Sequence, residues 1–173
     1  MAAGLPDLVD CVRLAESEAN LQRVYELGDL PRLRDVLVEP QGILSARFTF
    51  AKLASGRPGA EVSVEASPRL VCQRCMHGAA LHVTGASAIE FVPSGEADAA
   101  TVGREFFGME NGRVSLRDLA EEELLLALPR IFMCDMPLTC GRAPSYVTGE
   151  ETPHMTGDGR RPFSALRDFL KKT

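Results

Sequence analysis

Hydrophobic positions along the chain change their period near residue 43, which separates a helix-like N-terminal part from strand-like segments. Residues 8–27 carry apolar side chains at roughly helical spacing and Gly28 follows them, so this stretch is predicted to be one helix. The next stretch, residues 30–38, is compatible with a short helix or a strand, and Pro31 suits the first turn of a helix.

A period of two predicts a β-hairpin within residues 43–66. Apolar and polar residues alternate from Ile43 to Phe50 and again from Val62 to Ala66, and a turn rich in Gly and Pro at 55–59 separates the two runs. A third strand is predicted within 80–92. The polar and acidic segment 93–111 is predicted to be a long loop.

A strong helix is predicted between Ser115 and Pro129. Ser115 is a suitable N-cap with Asp118 three residues later, and an apolar stripe follows at helical spacing. The run Glu121-Glu122-Glu123 lies near the helix start, where the helix dipole favours acids, and is interpreted as a solvated face rather than an acid/base site. Because a block of strands precedes this helix, the predicted fold class is α+β, an antiparallel sheet with flanking helices.

The length of 173 residues fits one domain with tails. We expect a single compact domain at 1–140, a flexible linker at 141–160, where Gly, Pro, Thr and charged residues are frequent, and a short basic C-terminal helix at 161–173.

Composition and charge narrow the function classes. No window holds the roughly 18 uninterrupted apolar residues of a membrane span, and the acidic N-terminus does not resemble a secretory signal, so the cytoplasm is expected. A net charge of −5 disfavours nonspecific nucleic-acid binding, because such binding grows with the number of phosphates neutralised. The acidic excess lies within 71–128 and would suit a basic protein partner, whereas the basic C-terminus could add a local RNA contact.

Five cysteines carry the candidate chemistry. Cys11 lies alone in the predicted N-terminal helix and is interpreted as a buried small hydrophobic residue. Cys72 and Cys75 follow the second strand with two residues between them, and Cys134 and Cys140 lie six positions apart after Pro129. Zinc prefers four soft ligands in structural sites, and a tight turn with two intervening residues directs both thiolates at one ion.

Three interpretations of these two pairs stay open. A structural zinc site with four cysteine ligands is favoured, and it would make the fold a sheet with a zinc-linked cysteine cluster. A dithiol redox site at Cys72 and Cys75 is the second interpretation, and four reduced cysteines without metal are the third. His77 is the substitute ligand closest to the first pair. Motifs for catalytic zinc, nucleophilic serine and nucleotide binding do not occur in the sequence.

Several short motifs occur together in one order: Arg69-Leu70-Val71-Cys72-Gln73-Arg74-Cys75, Leu116-x-x-Leu119 with Leu125-x-x-Leu128-Pro129, a later cysteine, and Pro162-Phe163-x-x-Leu166. In this the chain resembles the YceD-like large ribosomal RNA subunit accumulation protein family, most firmly over 60–140 and 161–172. By position, Cys72 and Cys75 match the first cysteine pair of that family, and Cys140 matches the cysteine beyond the helix. The chain departs from the family pattern at Arg161, where an Asn is common before Pro-Phe, and at Cys134, where similar sequences need not have a cysteine.

The resemblance implies a non-catalytic bacterial factor that supports 23S rRNA accumulation and large ribosomal subunit biogenesis. Together with the cysteine spacing it predicts a structural zinc held by Cys72, Cys75, Cys134 and Cys140. The expected partner is a large-subunit ribosomal precursor, reached through a basic ribosomal protein or rRNA, with no membrane and no small-molecule substrate. Residues expected to contact this partner are Arg161, Phe163, Leu166, Arg167, Lys171 and Lys172.

Two other functions compete with this prediction. The first is a cytosolic thiol oxidoreductase that uses the Cys72/Cys75 dithiol. The second is a zinc-stabilised adaptor that acts outside ribosome assembly.

Overall fold

A computed structural model describes residues 7–94 and 105–135 of the chain. These residues form mostly β-structure with a few helices. The strands are β1 (Leu8–Asp10), β2 (Asn20–Glu26), β3 (Ile43–Lys52), β4 (Pro58–Ala66), β5 (Arg69–Val71), β6 (Gly78–Ala80), β7 (Val83–Pro93), β8 (Glu105–Met109) and β9 (Arg113–Ser115). The helices are α1 (Cys11–Glu16), α2 (Pro31–Arg34) and α3 (Leu116–Ala127). No helix in these two ranges is long and apolar enough to cross a membrane.

The main sheet has five strands in the order β2-β3-β4-β7-β8. The predicted hairpin is confirmed as β3 and β4, which pair antiparallel from Leu44 opposite Ala66 to Lys52 opposite Pro58. The predicted third strand is confirmed as β7, the antiparallel neighbour of β4. The prediction of an antiparallel sheet is wrong at one edge, because β8 runs parallel to β7. Two short ribbons, β1 with β9 and β5 with β6, lie outside this sheet.

The helices α1 and α3 pack on one face of the main sheet, against β3, β4 and β7. Alternate side chains of β3 and β4 point into this interface, as the period of two requires. The largest fully buried side chains of the core include Phe48, Phe50, Phe91, Leu44, Leu116, Leu119 and Leu124. Among the described residues, no helix contacts the other face of the sheet strongly.

The predicted helix over residues 8–27 is wrong. The structure has β1, the six-residue α1 and then β2, with a positive φ of 49° at Glu18 between α1 and β2. Strand β2 pairs with β3 over its whole length, from Asn20 opposite Thr49 to Glu26 opposite Ile43. The apolar residues of α1 and β2 follow one helical period although they belong to two different elements. Pairing with β3 determines the extended conformation of β2. Of the two alternatives for residues 30–38, the structure has the helix, which is the short α2 with Pro31 in its first turn.

The predicted loop at 93–111 is wrong in part, because β8 lies within it. Asn111 and Gly112 both have positive φ, 51° and 74°, in a tight turn. Glu110 and Arg113 exchange two backbone hydrogen bonds across this turn, at 3.0 and 2.9 Å. An Asn-Gly pair is a strong turn signal, since both residues tolerate positive φ. The turn joins β8 to β9 and leads directly into α3.

The helix predicted after Ser115 is confirmed as α3, and the Ser115 hydroxyl oxygen accepts a hydrogen bond from the Asp118 N–H at 3.2 Å. The interpretation of its three glutamates as a solvated face is wrong for two of them, because Glu121 and Glu123 are buried. Glu121 accepts a hydrogen bond from the backbone N–H of Leu33 at 2.9 Å and thereby joins α3 to α2. Glu123 accepts a hydrogen bond from the Ser87 hydroxyl.

Candidate metal centre

The first two thiols lie in a tight turn between β5 and β6. The Cys72 N–H donates to the carbonyl of His77, and the Met76 N–H donates to the carbonyl of Cys72, each at 2.9 Å. Met76 closes the turn with a positive φ of 61°. This geometry buries the side chains of Cys72 and Cys75 together and leaves Met76 exposed.

A third thiol comes from the chain after α3. The Gln73 N–H donates to the carbonyl of Phe132 at 2.9 Å, and the Cys134 N–H donates to Cys72 Sγ at 3.3 Å, so this segment lies beside the turn. Phe132 and Cys134 are buried, while Met133 between them is half exposed. We call the ribbon β5–β6, its turn and residues 132–134 the cysteine knuckle.

The three thiols form a compact buried group. The Sγ atoms of Cys72, Cys75 and Cys134 all lie within 4.8 Å of one another, and those of Cys75 and Cys134 are 3.8 Å apart. Zinc–sulfur bonds of about 2.3 Å in a tetrahedron put neighbouring sulfurs about 3.8 Å apart. No disulfide bond joins these three thiols to one another. Three soft ligands at this spacing could hold one metal ion.

Backbone amides polarise the Cys72 thiol. The N–H groups of Cys134, Cys75 and Arg74 are directed at its sulfur, and they lower the pKa of Cys72 to about 5 against the opposing effect of burial. A thiol with this pKa is mostly thiolate at neutral pH, and the thiolate is the form that binds metal. The turn therefore favours the thiolate form of Cys72, which is the form that binds metal, before any ion binds.

The structure brings together three of the four predicted ligands. Cys140 lies outside the described residues, so its role as a ligand stays a prediction. The same holds for the predicted partner-contacting residues of the C-terminus, which are Arg161, Phe163, Leu166, Arg167, Lys171 and Lys172. His77 is not in the group of converging ligand atoms found among the described residues. Cys11 is buried in α1, as predicted, and its thiol donates to the carbonyl of Gly112 at 3.2 Å.

Sequence reasoning missed the apolar support of the cysteine knuckle. Leu70 and Phe132 pack with the three cysteines in a small buried cluster, which the partly buried Leu37, Leu81 and Leu128 connect to the main core. The available signal was the alternation from Ile131 to Cys134, in which every second side chain is buried. That alternation is too short to be distinguished from a loop without its partner strand.

Comparison with known proteins gives one match. A family model described as large ribosomal RNA subunit accumulation protein YceD matches residues 60–170. The matched range contains the whole cysteine knuckle and α3. No curated protein and no solved structure matches the chain.

Proposed function

The chain belongs to the family of large ribosomal RNA subunit accumulation proteins, YceD, and on that premise we propose that it is a non-catalytic bacterial factor supporting 23S rRNA accumulation and large ribosomal subunit biogenesis. The observation that carries this proposal is the family match, which covers most of the chain. A factor of this kind would act in the cytoplasm, where ribosomal precursors are assembled.

We further propose that the cysteine knuckle holds one structural zinc ion through Cys72, Cys75, Cys134 and Cys140. The proposal is supported by the three converging thiols and by the lowered pKa of Cys72. A structural role fits better than a catalytic one, because the three described sulfurs are buried and catalytic zinc keeps an open coordination position. Structural zinc can contribute on the order of 10 kcal/mol of folding free energy.

The alternative function, a thiol oxidoreductase, would also use a thiol of lowered pKa such as Cys72, but the burial of this thiol argues against it. Reactive thiols are partly exposed, whereas Cys72 has no exposed surface. A third thiol also lies against the pair, at 3.8 Å from Cys75, which suits metal binding better than a two-cysteine redox cycle.

The proposed partner is a large-subunit precursor, reached through a basic ribosomal protein or through rRNA. The net charge of −5 favours a basic protein over general binding to RNA. The cationic C-terminal residues that the sequence analysis identified would provide a local rRNA contact.

The ratio of large- to small-subunit rRNA in cells depleted of this protein tests the proposal. We expect a selective fall of the large-subunit species that is restored by the wild-type chain. An unchanged ratio would contradict the proposed function. Complementation with a Cys72→Ser, Cys75→Ser variant then shows whether the cysteine knuckle is required for that function. Full rescue would mean that the metal site is dispensable for it.

A further inference from the structure

The sheet face opposite the helices carries unusually small side chains. We call this surface, formed by β3, β4 and β7, the open face. Its small residues are Ser45, Thr49, Ala51, Gly59, Ser63, Thr84, Ala86 and Ala88, and its charged residues are Arg47, Glu61, Glu65 and Glu90. Ala86 and Ala88 are exposed. Alanine is disfavoured in strands on a scale of about 1 kcal/mol, and neither alanine adds to the buried core. Their small size leaves space above the sheet at these positions.

The small residues leave a cavity of about 700 Å³ at one end of the open face. Ala51, Ala86 and Ala88 line its floor, and Leu53 and Ala54 of the β3–β4 turn form a wall. Gly59 permits this arrangement, because a Cβ at that position would lie 2.8 Å from Leu53 Cδ1. The volume is within the range of roughly 300–1,000 Å³ that is usual for ligand sites.

All charged residues among those that line the cavity are acidic: Glu61, Glu90 and Glu105. Glu90 is buried, and its Oε1 lies 3.3 Å from the Ser55 hydroxyl and 3.7 Å from Arg57 Nε. Glu61 is exposed on the central strand β4, and none of the ion pairs among residues 7–94 and 105–135 includes it. The cavity therefore combines an apolar floor with an exposed carboxylate at its rim.

We propose that this cavity binds a lysine- or arginine-bearing segment of a partner protein. The aliphatic part of such a side chain would lie on the alanine floor while its cationic end reaches Glu61. The small residues around it allow a peptide backbone to approach the sheet closely, and the negative charge favours the encounter. The inference rests on the proposed function in one respect, since a basic ribosomal protein supplies this chemistry.

Binding of a fluorescein-labelled peptide of alternating lysine and alanine to the full-length chain tests the charge requirement. Glu61→Lys is expected to weaken binding about tenfold, because it reverses the charge at the cavity. Glu65→Lys is the matched control, as Glu65 is exposed on the same strand and face but does not line the cavity. We expect the control to weaken binding by less than about threefold, through net charge alone. Equal loss in both variants would reduce the interaction to nonspecific attraction and overturn the proposal.

A second pair of variants tests the space without changing charge. Ala88→Ile fills the floor with a residue that strands prefer, so the fold should keep its stability while peptide binding falls about tenfold. Thr84→Ile, on the same strand and face outside the cavity, should bind as the wild type does. Wild-type affinity in Ala88→Ile would overturn the proposal.

One more variant distinguishes an external partner from the chain itself. Replacement of Arg167, Lys171 and Lys172 by Gln in the full-length chain should raise peptide affinity by less than about threefold, through net charge alone. A gain of about tenfold or more would mean that the basic C-terminal segment competes for the cavity, and it would overturn the proposal of an external partner. These titrations use no cells and no RNA, so their failure removes the cavity assignment and leaves the rRNA experiment to decide the proposed function separately.

Discussion

The main core and the cysteine knuckle are stabilised in different ways. In the main core, Phe50 packs against Phe48 and Phe91 with ring centroids 6.5 and 6.0 Å away, and α1 and α3 cover the sheet. The cysteine knuckle buries only five residues in its own cluster, and three of them are cysteines. So small an apolar cluster is a weak source of stability, and natural proteins support such units with metals or disulfides. With zinc in the cysteine knuckle, as proposed, one chain combines a self-sufficient core with a unit that needs an ion.

The largest expected difference between the two regions is their response to a zinc chelator. Because structural zinc contributes on the order of 10 kcal/mol, its removal should release the amides of 69–80 and 130–135 to exchange with solvent. The amides of β3 and β4 should stay protected, since apolar burial stabilises them. Hydrogen exchange followed by mass spectrometry, with and without chelator, measures both regions at once. Unchanged protection of the cysteine knuckle would contradict the distinction.

Replacing a large buried side chain of the main core with a small one should destabilise the fold without removing zinc from the cysteine knuckle. Phe50→Ala is expected to lower the free energy of unfolding by about 3–5 kcal/mol, because it leaves a cavity among buried rings, and to leave the zinc content unchanged. Val24→Ala is the control, since Val24 lies on the edge strand β2 with 60% of its surface exposed. Denaturant unfolding measures both variants. A loss of zinc in Phe50→Ala would show that the two regions depend on each other.

The sequence predicts well those parts of the fold that depend on neighbouring residues. The β3–β4 hairpin has its alternation and its turn in one stretch of chain, and α3 carries its own N-cap at Ser115. Cys72 and Cys75 are three positions apart in the sequence, so their proximity likewise depends on neighbouring residues. The helix prediction is wrong at β2 because β3 supplies the backbone hydrogen-bond partners of this strand. No pattern within β2 indicates which strand it pairs with.

The burial of the glutamates escaped prediction, whereas the third thiol, Cys134, was predicted as a ligand from the two cysteine pairs although its route to the first pair was not. Glu121 is buried because the Leu33 N–H, 88 residues away in the sequence, needs an acceptor. The segment of Cys134 lies beside the first cysteine pair because the Gln73 N–H donates a hydrogen bond to the carbonyl of Phe132. Both features depend on long-range contacts, which a single sequence does not encode in a readable period.

A smaller effect is expected from the polar link within the main core. Glu121→Ala should lower the free energy of unfolding by about 2–3 kcal/mol, because it leaves the buried Leu33 N–H without its acceptor. Glu122→Ala is the matched control: Glu121 and Glu122 both pair with Arg32, at 3.4 and 2.5 Å, but Glu122 is 41% exposed, so a loss of about 0–1 kcal/mol is expected. Thermal or denaturant unfolding compares the two. Equal losses would mean that the buried hydrogen bond adds nothing beyond a surface ion pair.

The smallest predicted effect depends on pH. Burial raises the pKa of Glu123 above its usual value, so the folded chain holds this proton more tightly than the unfolded chain does. The protonated carboxyl of Glu123 therefore stabilises the fold fully at pH values below the pKa that Glu123 has in the unfolded chain. This stabilisation is lost as the pH rises through the higher pKa that Glu123 has in the folded chain. Glu123→Gln should raise the free energy of unfolding at pH 7 by about 0.5 kcal/mol after allowance for solvent screening, with the gain shrinking at acidic pH. Unfolding curves at several pH values measure it, and a gain independent of pH would contradict the assignment.

Metal analysis of the purified full-length chain tests the central claim most directly, namely that zinc holds the cysteine knuckle. We predict one zinc ion per chain in the wild type and in Cys11→Ser, its loss in Cys72→Ser, and a lower melting temperature in EDTA. Cys11 is the matched control because it is a buried cysteine outside the converging group. A metal-free wild type whose melting temperature does not change in EDTA would contradict the claim.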